Sequence, residues 1–236
     1  MSPHLDPETQ RAHKRRNLIH SAALIAGLGA LTAASVALLF GPAGVGIVVL
    51  VLAATYLLSP RVPPEAVMTM YRAEPVPAHN GGQLARIVDE LTRRAELPAR
   101  PTLYVIPSAT LNAFATGTPQ RSAIAVTEGL LRKLTMREIA GVLAHETSHI
   151  RNNDLFVMGL ADLLTRFAQS LSYVAVVLAA VNAMAMLTGD PTIPWWPIVL
   201  LYLTPAASSL LQLALSRARE HDADLEAAML TGDPLA

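Results

Sequence analysis

Residues 143–154, LAHETSHIRNND, place His145 and His149 four positions apart, with Glu146 directly after the first. On a helix, side chains four apart share one face, so both imidazoles can reach one ion at ~2.0 to 2.1 Å from each nitrogen. Glu146 stands about 100° around the helix from His145, beside such an ion but off its ligand positions, within reach of a water held there. Two ligands and a general base from one helical turn are the parts of a zinc hydrolase. A catalytic zinc also needs a third protein ligand and an open position for water. The chain has no cysteine, which excludes disulfides and thiolate metal sites and leaves His, Asp and Glu as ligands. Downstream, SRAREHDAD at 216–224 sets Glu220 and Asp224 one turn apart, with His221 between them. One such carboxylate can bind the metal while the second accepts the free ring N–H of a ligand histidine.

These residues need elements to position them. Thr135 and Glu138 in TMRE form a capping box, which predicts the start of the helix that carries His145 and His149. Upstream, GGQLARIVDELTRRAEL has helical spacing at Leu84, Ile87, Val88 and Leu91, and TLYVIP at 102–107 is a short strand bounded by prolines. SAIAVTEGLL alternates into a second strand that ends near Gly129. The central block is thus a small mixed α/β unit. No internal repeat or low-complexity tract interrupts it.

The rest of the chain is apolar. It is 52% hydrophobic and only 15% charged, against the roughly 25% charged of soluble domains, and its mean hydropathy is +0.39. Lys+Arg and Asp+Glu balance at 18 each, so net charge gives no reason to expect nucleic acid as a partner. Leu18–Phe40 is long enough to cross a hydrocarbon core of ~30 Å, and its length marks a retained anchor, not a signal peptide. GPAG at 41–44 predicts a turn, and Val45–Leu58 predicts a second span stopped by prolines. Phe167–Leu187 and Ile193–Leu215 form a second pair, the last opening on Trp195 and Trp196 and kinked at Pro205. The connectors inside each pair carry no Lys or Arg, whereas Arg11, Lys14, Arg15, Arg16, Arg61, Arg217 and Arg219 flank the other ends. The positive-inside rule therefore puts both termini and the central block in the cytoplasm.

HETSHIRNND together with SRAREHDAD resembles the HtpX-type membrane zinc metalloproteases, relatives of the CAAX prenyl endopeptidase among the glutamate-zincins. LNAFATG at 111–117, followed by AIAVTEGLL, resembles the loop and edge strand that precede the zinc helix in that family. The resemblance implies one catalytic Zn2+ bound by His145, His149 and Glu220, with Glu146 as catalytic base and Asp224 supporting a histidine ligand. His221 stands where the family more often has an aromatic, and is a competing ligand. The chain ends at TGDPLA, so material that usually follows in the family is expected to be absent. Arg217, Arg219 and His221, near Glu220 in sequence, are candidates to stabilise the oxyanion.

The expected fold is a mainly α membrane protein, two transmembrane hairpins plus a small α/β zincin-type domain. Its divisions are a basic tail (1–17), a hairpin (18–59), the zincin domain (60–166), a hairpin (167–215) and a helix bearing the third ligand (216–236). If the fourth span continues unbroken, Glu220 lies roughly 7 to 8 Å beyond the hydrocarbon edge, which favours substrates in or emerging from the bilayer. If exposed as an edge, the strand of Ala123, Ile124 and Ala125 would hold an extended polypeptide by backbone hydrogen bonds, with Asn112 and Phe114 bordering the cleft. The expected function is proteolytic quality control of misfolded membrane proteins at the cytoplasmic face of a bacterial inner membrane. Prenyl-protein processing is the enzymatic alternative, and a non-catalytic membrane scaffold the other.

Overall fold

The computed structural model describes residues 7–58, 63–77, 82–189 and 194–233. The proline-rich stop that begins after Leu58 and the connector residue Asp190 fall partly or wholly outside them. The chain is mostly helical with one small mixed sheet, and it divides into two compact units. The first comprises 1–10, 61–157 and 218–236, and the second 11–60 and 158–217.

In the first unit the order is α2 (Pro64–Met70), β1 (Glu74–Pro75), α3 (Gly82–Arg94), β2 (Thr102–Ile106), β3 (Ala113–Thr118), β4 (Arg121–Thr127), α4 (Glu128–Lys133) and α5 (Met136–Arg151). The strands lie in the order β1-β2-β4-β3, with β2 and β4 parallel and β3 antiparallel to β4. Successive side chains on a strand face opposite ways, and here each way meets a different partner. Leu103, Ala115, Ile124 and Val126 pack with Val88 and Leu91 of α3 and with Ile139, Leu143, Ala144 and Ile150 of α5. Tyr104, Ile106, Ala123 and Ala125 pack with Met68 of α2.

This double cover corrects one expectation. β4 sits inside the sheet, paired with β2 and β3, and Ala123, Ile124 and Ala125 are buried. Their backbone groups serve the two neighbouring strands, so they are not an exposed edge. Among the described residues β3, the segment expected to be a loop, is an edge strand, as is the two-residue β1 at the other side. β4 lacks the exposed-buried alternation of a half-covered strand because helices lie against both faces.

Local signals hold where they are chemically complete. Thr135 caps α5 and Glu138 reaches back to the Thr135 N–H, as the capping box predicts. Thr127 ends β4 and caps α4 through its side chain, accepting from the Leu130 N–H. α5 ends at Asn152 and Asn153, and Asn153 has a φ of 55°, the left-handed conformation that asparagine tolerates at helix ends. The chain then starts α6 at Asp154.

The second unit is built from most of α1 (Pro7–Leu58), α6 (Asp154–Thr188) and α7 (Trp195–Thr231). α1 breaks at Gly41, with a φ of 67°, just before Pro42, where the turn was expected. Val36 and Val45, on either side of the break, join one cluster with Leu171, Ala175, Ile198 and Leu201. Buried polar atoms are small side chains between helices, such as Ser35 and Thr204, 2.9 Å apart. Large apolar side chains, among them Val177, Met184, Leu187, Tyr202 and Leu210, are exposed, as lipid-facing residues would be. Among the described residues three helices are long and apolar enough to cross a membrane: Ser21–Leu38 within α1, α6 and α7. The expected second span, helical to Leu58, is not among them. α6 begins well before the Phe167–Leu187 run and takes in the Asp162–Arg166 ion pair at 2.7 Å.

Candidate metal centre

α5 and the last part of α7 build the site within the first unit. Ile139, Leu143 and Ile150, wholly buried beneath α5, fix that helix on the sheet, while Ala227 and Leu230 fix α7 to the same core. The opposite face of α5 then presents His145 and His149 to α7. Their Nε2 atoms are 3.1 Å apart. Glu220 reaches the same point, with Oε2 at 3.3 Å from His145 Nε2 and Oε1 at 3.9 Å from His149 Nε2. One ligand atom from each of the three residues lies within 4.8 Å of the other two.

The outer ring nitrogens settle what the inner ones can do. His145 Nδ1 donates to Asp224 Oδ1 at 2.9 Å, and His149 Nδ1 donates to Asp154 Oδ2 at 2.8 Å. In a neutral imidazole with its proton on Nδ1, Nε2 carries a lone pair. Two lone pairs and a carboxylate thus converge, an arrangement that repels itself and suits a divalent cation. The donor set of two imidazoles and one carboxylate, with no thiolate, fits catalytic zinc.

Glu146 points to the free edge of the sheet. The Ala115 backbone N–H lies close enough to its carboxylate to favour the charged form. This agrees with the pairing of β3. Thr127 N–H donates to Asn112 O, and antiparallel pairs alternate, so Phe114 and Thr116 bond to β4 while Ala113, Ala115 and Gly117 turn their backbone groups outward. Burial raises the Glu146 pKa, and the neighbouring His149 and His145 oppose that rise. For His149, burial resists the charged form, but the hydrogen bond and charge of Asp154, with Glu146 and Glu220, outweigh it and raise the pKa.

The other expected residues fall as follows. Asp224 is hydrogen-bonded to His145. Arg219 is buried and pairs with Asp154 at 3.1 Å, which takes it away from the oxyanion role. His221 and Arg217 are exposed. Asn112 is exposed at the start of β3, and its backbone N–H donates to Thr127 Oγ1. Phe114 turns to the α2 face, opposite α5, where its ring meets that of Tyr71 at a tilt of 53°, 5.1 Å between centroids.

Sequence reasoning does not single out Asp154 or Glu226. Asp154 carries no helical-period signal, because the chain turns at Asn152 and Asn153 before α6 brings its carboxylate back to His149. Glu226 is buried on α7, accepts from Ser148 and Asn152, and pairs with Arg151, so it clamps the end of α5. A groove of about 470 Å³ lies beside His145, lined by Gly141, Val142, Ala227 and Ala228, with Asp224 and Asp233 at its polar side.

Peptidase family M48 matches residues 78–235. A protein named "Protease HtpX homolog" from Methylibium petroleiphilum is 36% identical over 221 residues, 93% of this chain and 76% of its own length. Another of that name, from Acidiphilium cryptum, is 40% identical with the same coverage. One from Campylobacter concisus is 41% identical over 171 residues, 71% of this chain and 58% of its own. With the histidine pair, the adjacent glutamate and the exposed apolar helices already in place, the chain belongs to peptidase family M48, as a membrane metalloprotease of the HtpX type.

Proposed function

We propose that this metalloprotease uses zinc held by His145, His149 and Glu220 to cleave misfolded or damaged membrane proteins at the cytoplasmic face of a bacterial inner membrane. The observation that carries the reading is the convergence of two Nε2 lone pairs and the Glu220 carboxylate, with Glu146 alongside. When bound, zinc supplies a Lewis acid that polarises the scissile carbonyl and lowers the pKa of water. Glu146 accepts the proton of the attacking water and delivers it to the leaving amine. With Arg219 engaged by Asp154, Arg217 and His221, both exposed, are the oxyanion candidates that remain.

The outward backbone groups of β3 offer an extended polypeptide main-chain hydrogen bonds next to Glu146, with little demand on its sequence. That suits a substrate defined by being unfolded. α7 carries both its apolar run and Glu220, five residues after Leu215, which favours substrates that lie in or leave the bilayer. Lys and Arg flanking the ends of the apolar runs that would face the cytoplasm support that placement.

The test compares wild type with Glu146→Gln in native membranes. Both bind one zinc, and wild type alone degrades an unfolded test protein, with a loss of roughly 10²- to 10⁴-fold in the variant. A zinc-loaded Glu146→Gln that still cleaves would remove Glu146 from the role of base. Membrane-protein fragments that accumulate only with wild type identify substrates. Selective cleavage of a prenylated peptide would instead favour the prenyl-processing class, and activity in neither assay a scaffold.

A further inference from the structure

We infer that Arg219 positions the metal site through Asp154: its guanidinium holds one carboxylate oxygen while the other holds the His149 ring, so the residue before the third ligand fixes the orientation of the second. This rests on the proposed metal site. Asp154 uses Oδ2 for His149 Nδ1, at 2.8 Å, and Oδ1 for Arg219 Nη1, at 3.1 Å. The Asp154 side chain is 4% exposed and that of Arg219 10%. Arg219 Nε and Asp154 Oδ1 make no directed hydrogen bond, so the attraction between the two groups is chiefly one of charge.

A buried ion pair is a poor stabilising device, because desolvating both charges offsets most of their attraction, and well-packed apolar residues often do as well. This pair therefore calls for another use. A carboxylate on the free N–H of a metal-ligating imidazole fixes its tautomer and ring orientation and raises its basicity. Such a carboxylate, once buried, needs a counter-charge of its own. Arg219 supplies it, and its charge beside Oδ1 keeps that oxygen turned toward α7 and leaves Oδ2 to the ring. It also ties the first residue of α6 to the residue preceding Glu220 on α7, so the aim of His149 and the location of Glu220 depend on one contact.

The test uses the full chain in detergent micelles as wild type, Arg219→Gln, Arg219→Lys, Asp154→Asn and the Arg219→Gln, Asp154→Asn double variant. Each is stripped of metal and measured for Zn2+ affinity against a chromophoric chelator, for its Co2+ absorption spectrum, and for unfolding temperature without metal. Arg219→Gln and Asp154→Asn should each weaken Zn2+ binding roughly 10- to 100-fold and shift the Co2+ spectrum. Arg219→Lys should recover part of the affinity. Metal-free stability should fall in Arg219→Gln, which leaves a buried charge unpaired, and return in the double variant, which removes both charges. Affinity should not return with it, because the amide introduced by Asp154→Asn carries no charge to offer the His149 ring. A double variant that regains wild-type affinity along with stability, or an Arg219→Gln whose affinity stays within about twofold of wild type, overturns the inference and leaves a structural strut. A wild type that takes up no stoichiometric Zn2+, or that binds it no better than His149→Ala, overturns the metal reading itself.

Discussion

His145 and His149 carry the same device in opposite surroundings. Each gives its Nδ1 proton to an aspartate at nearly the same distance, 2.9 Å to Asp224 and 2.8 Å to Asp154. Yet the Asp224 side chain is 70% exposed and that of Asp154 only 4%. On the exposed side, water can replace whatever the aspartate gives up, and salt screens its charge. On the buried side nothing replaces it, so Asp154 needs Arg219, and the two helices that bring these residues together become part of the candidate metal site. A hydrogen-bond distance alone does not reveal this difference. The partner's burial decides what its loss costs.

The contrast can be broken in three places. Asp154→Ala leaves the Arg219 guanidinium buried without a counter-charge, and should cost about 3–5 kcal/mol of stability even without metal, read by urea unfolding. Glu226→Ala tests whether burial matters when the carboxylate does not touch a ligand histidine. It loses charge-assisted bonds from Ser148, Asn152 and Arg151, so about 1.5–3 kcal/mol should go, with a smaller change in metal affinity than at Asp154. Asp224→Ala should cost less than about 1 kcal/mol in the metal-free protein, while still weakening Zn2+ binding by about tenfold or more. Raising salt from about 0.1 to 1 M, which shortens the screening length from ~10 to ~3 Å, should shrink the Asp224 effect and leave the Asp154 effect nearly whole. Equal stability losses for Asp154→Ala and Asp224→Ala would end the distinction.

Much of the site is legible in the sequence because its signals are local. His145, Glu146 and His149 are related by the helical period, and the capping box at Thr135 and Glu138 says where that helix starts. The break at Gly41 and the apolar runs are equally local. Glu220 and Asp224 stand apart from the histidines in sequence, and pairing them with that helix took the family resemblance. Three features resist such reading. β3 looks like a loop, with Gly117 and small residues, and only its pairing with β4 makes it an edge strand. β4 looks like a candidate edge until both its neighbours are known. Asp154 lies beyond a left-handed Asn153, so no helical period links it to His149.

The sequence by itself determined the chemistry. Two imidazoles at one-turn spacing, a carboxylate beside them, no thiol, and apolar runs long enough for a bilayer leave few other uses for these residues. The tertiary structure decided which carboxylates serve which imidazole, which strands lie at the sheet's edges, and that Arg219 faces inward to Asp154. The physical reason is range. Helix spacing and capping act across three or four residues, whereas sheet order, burial and a buried ion pair depend on which distant segments share one core.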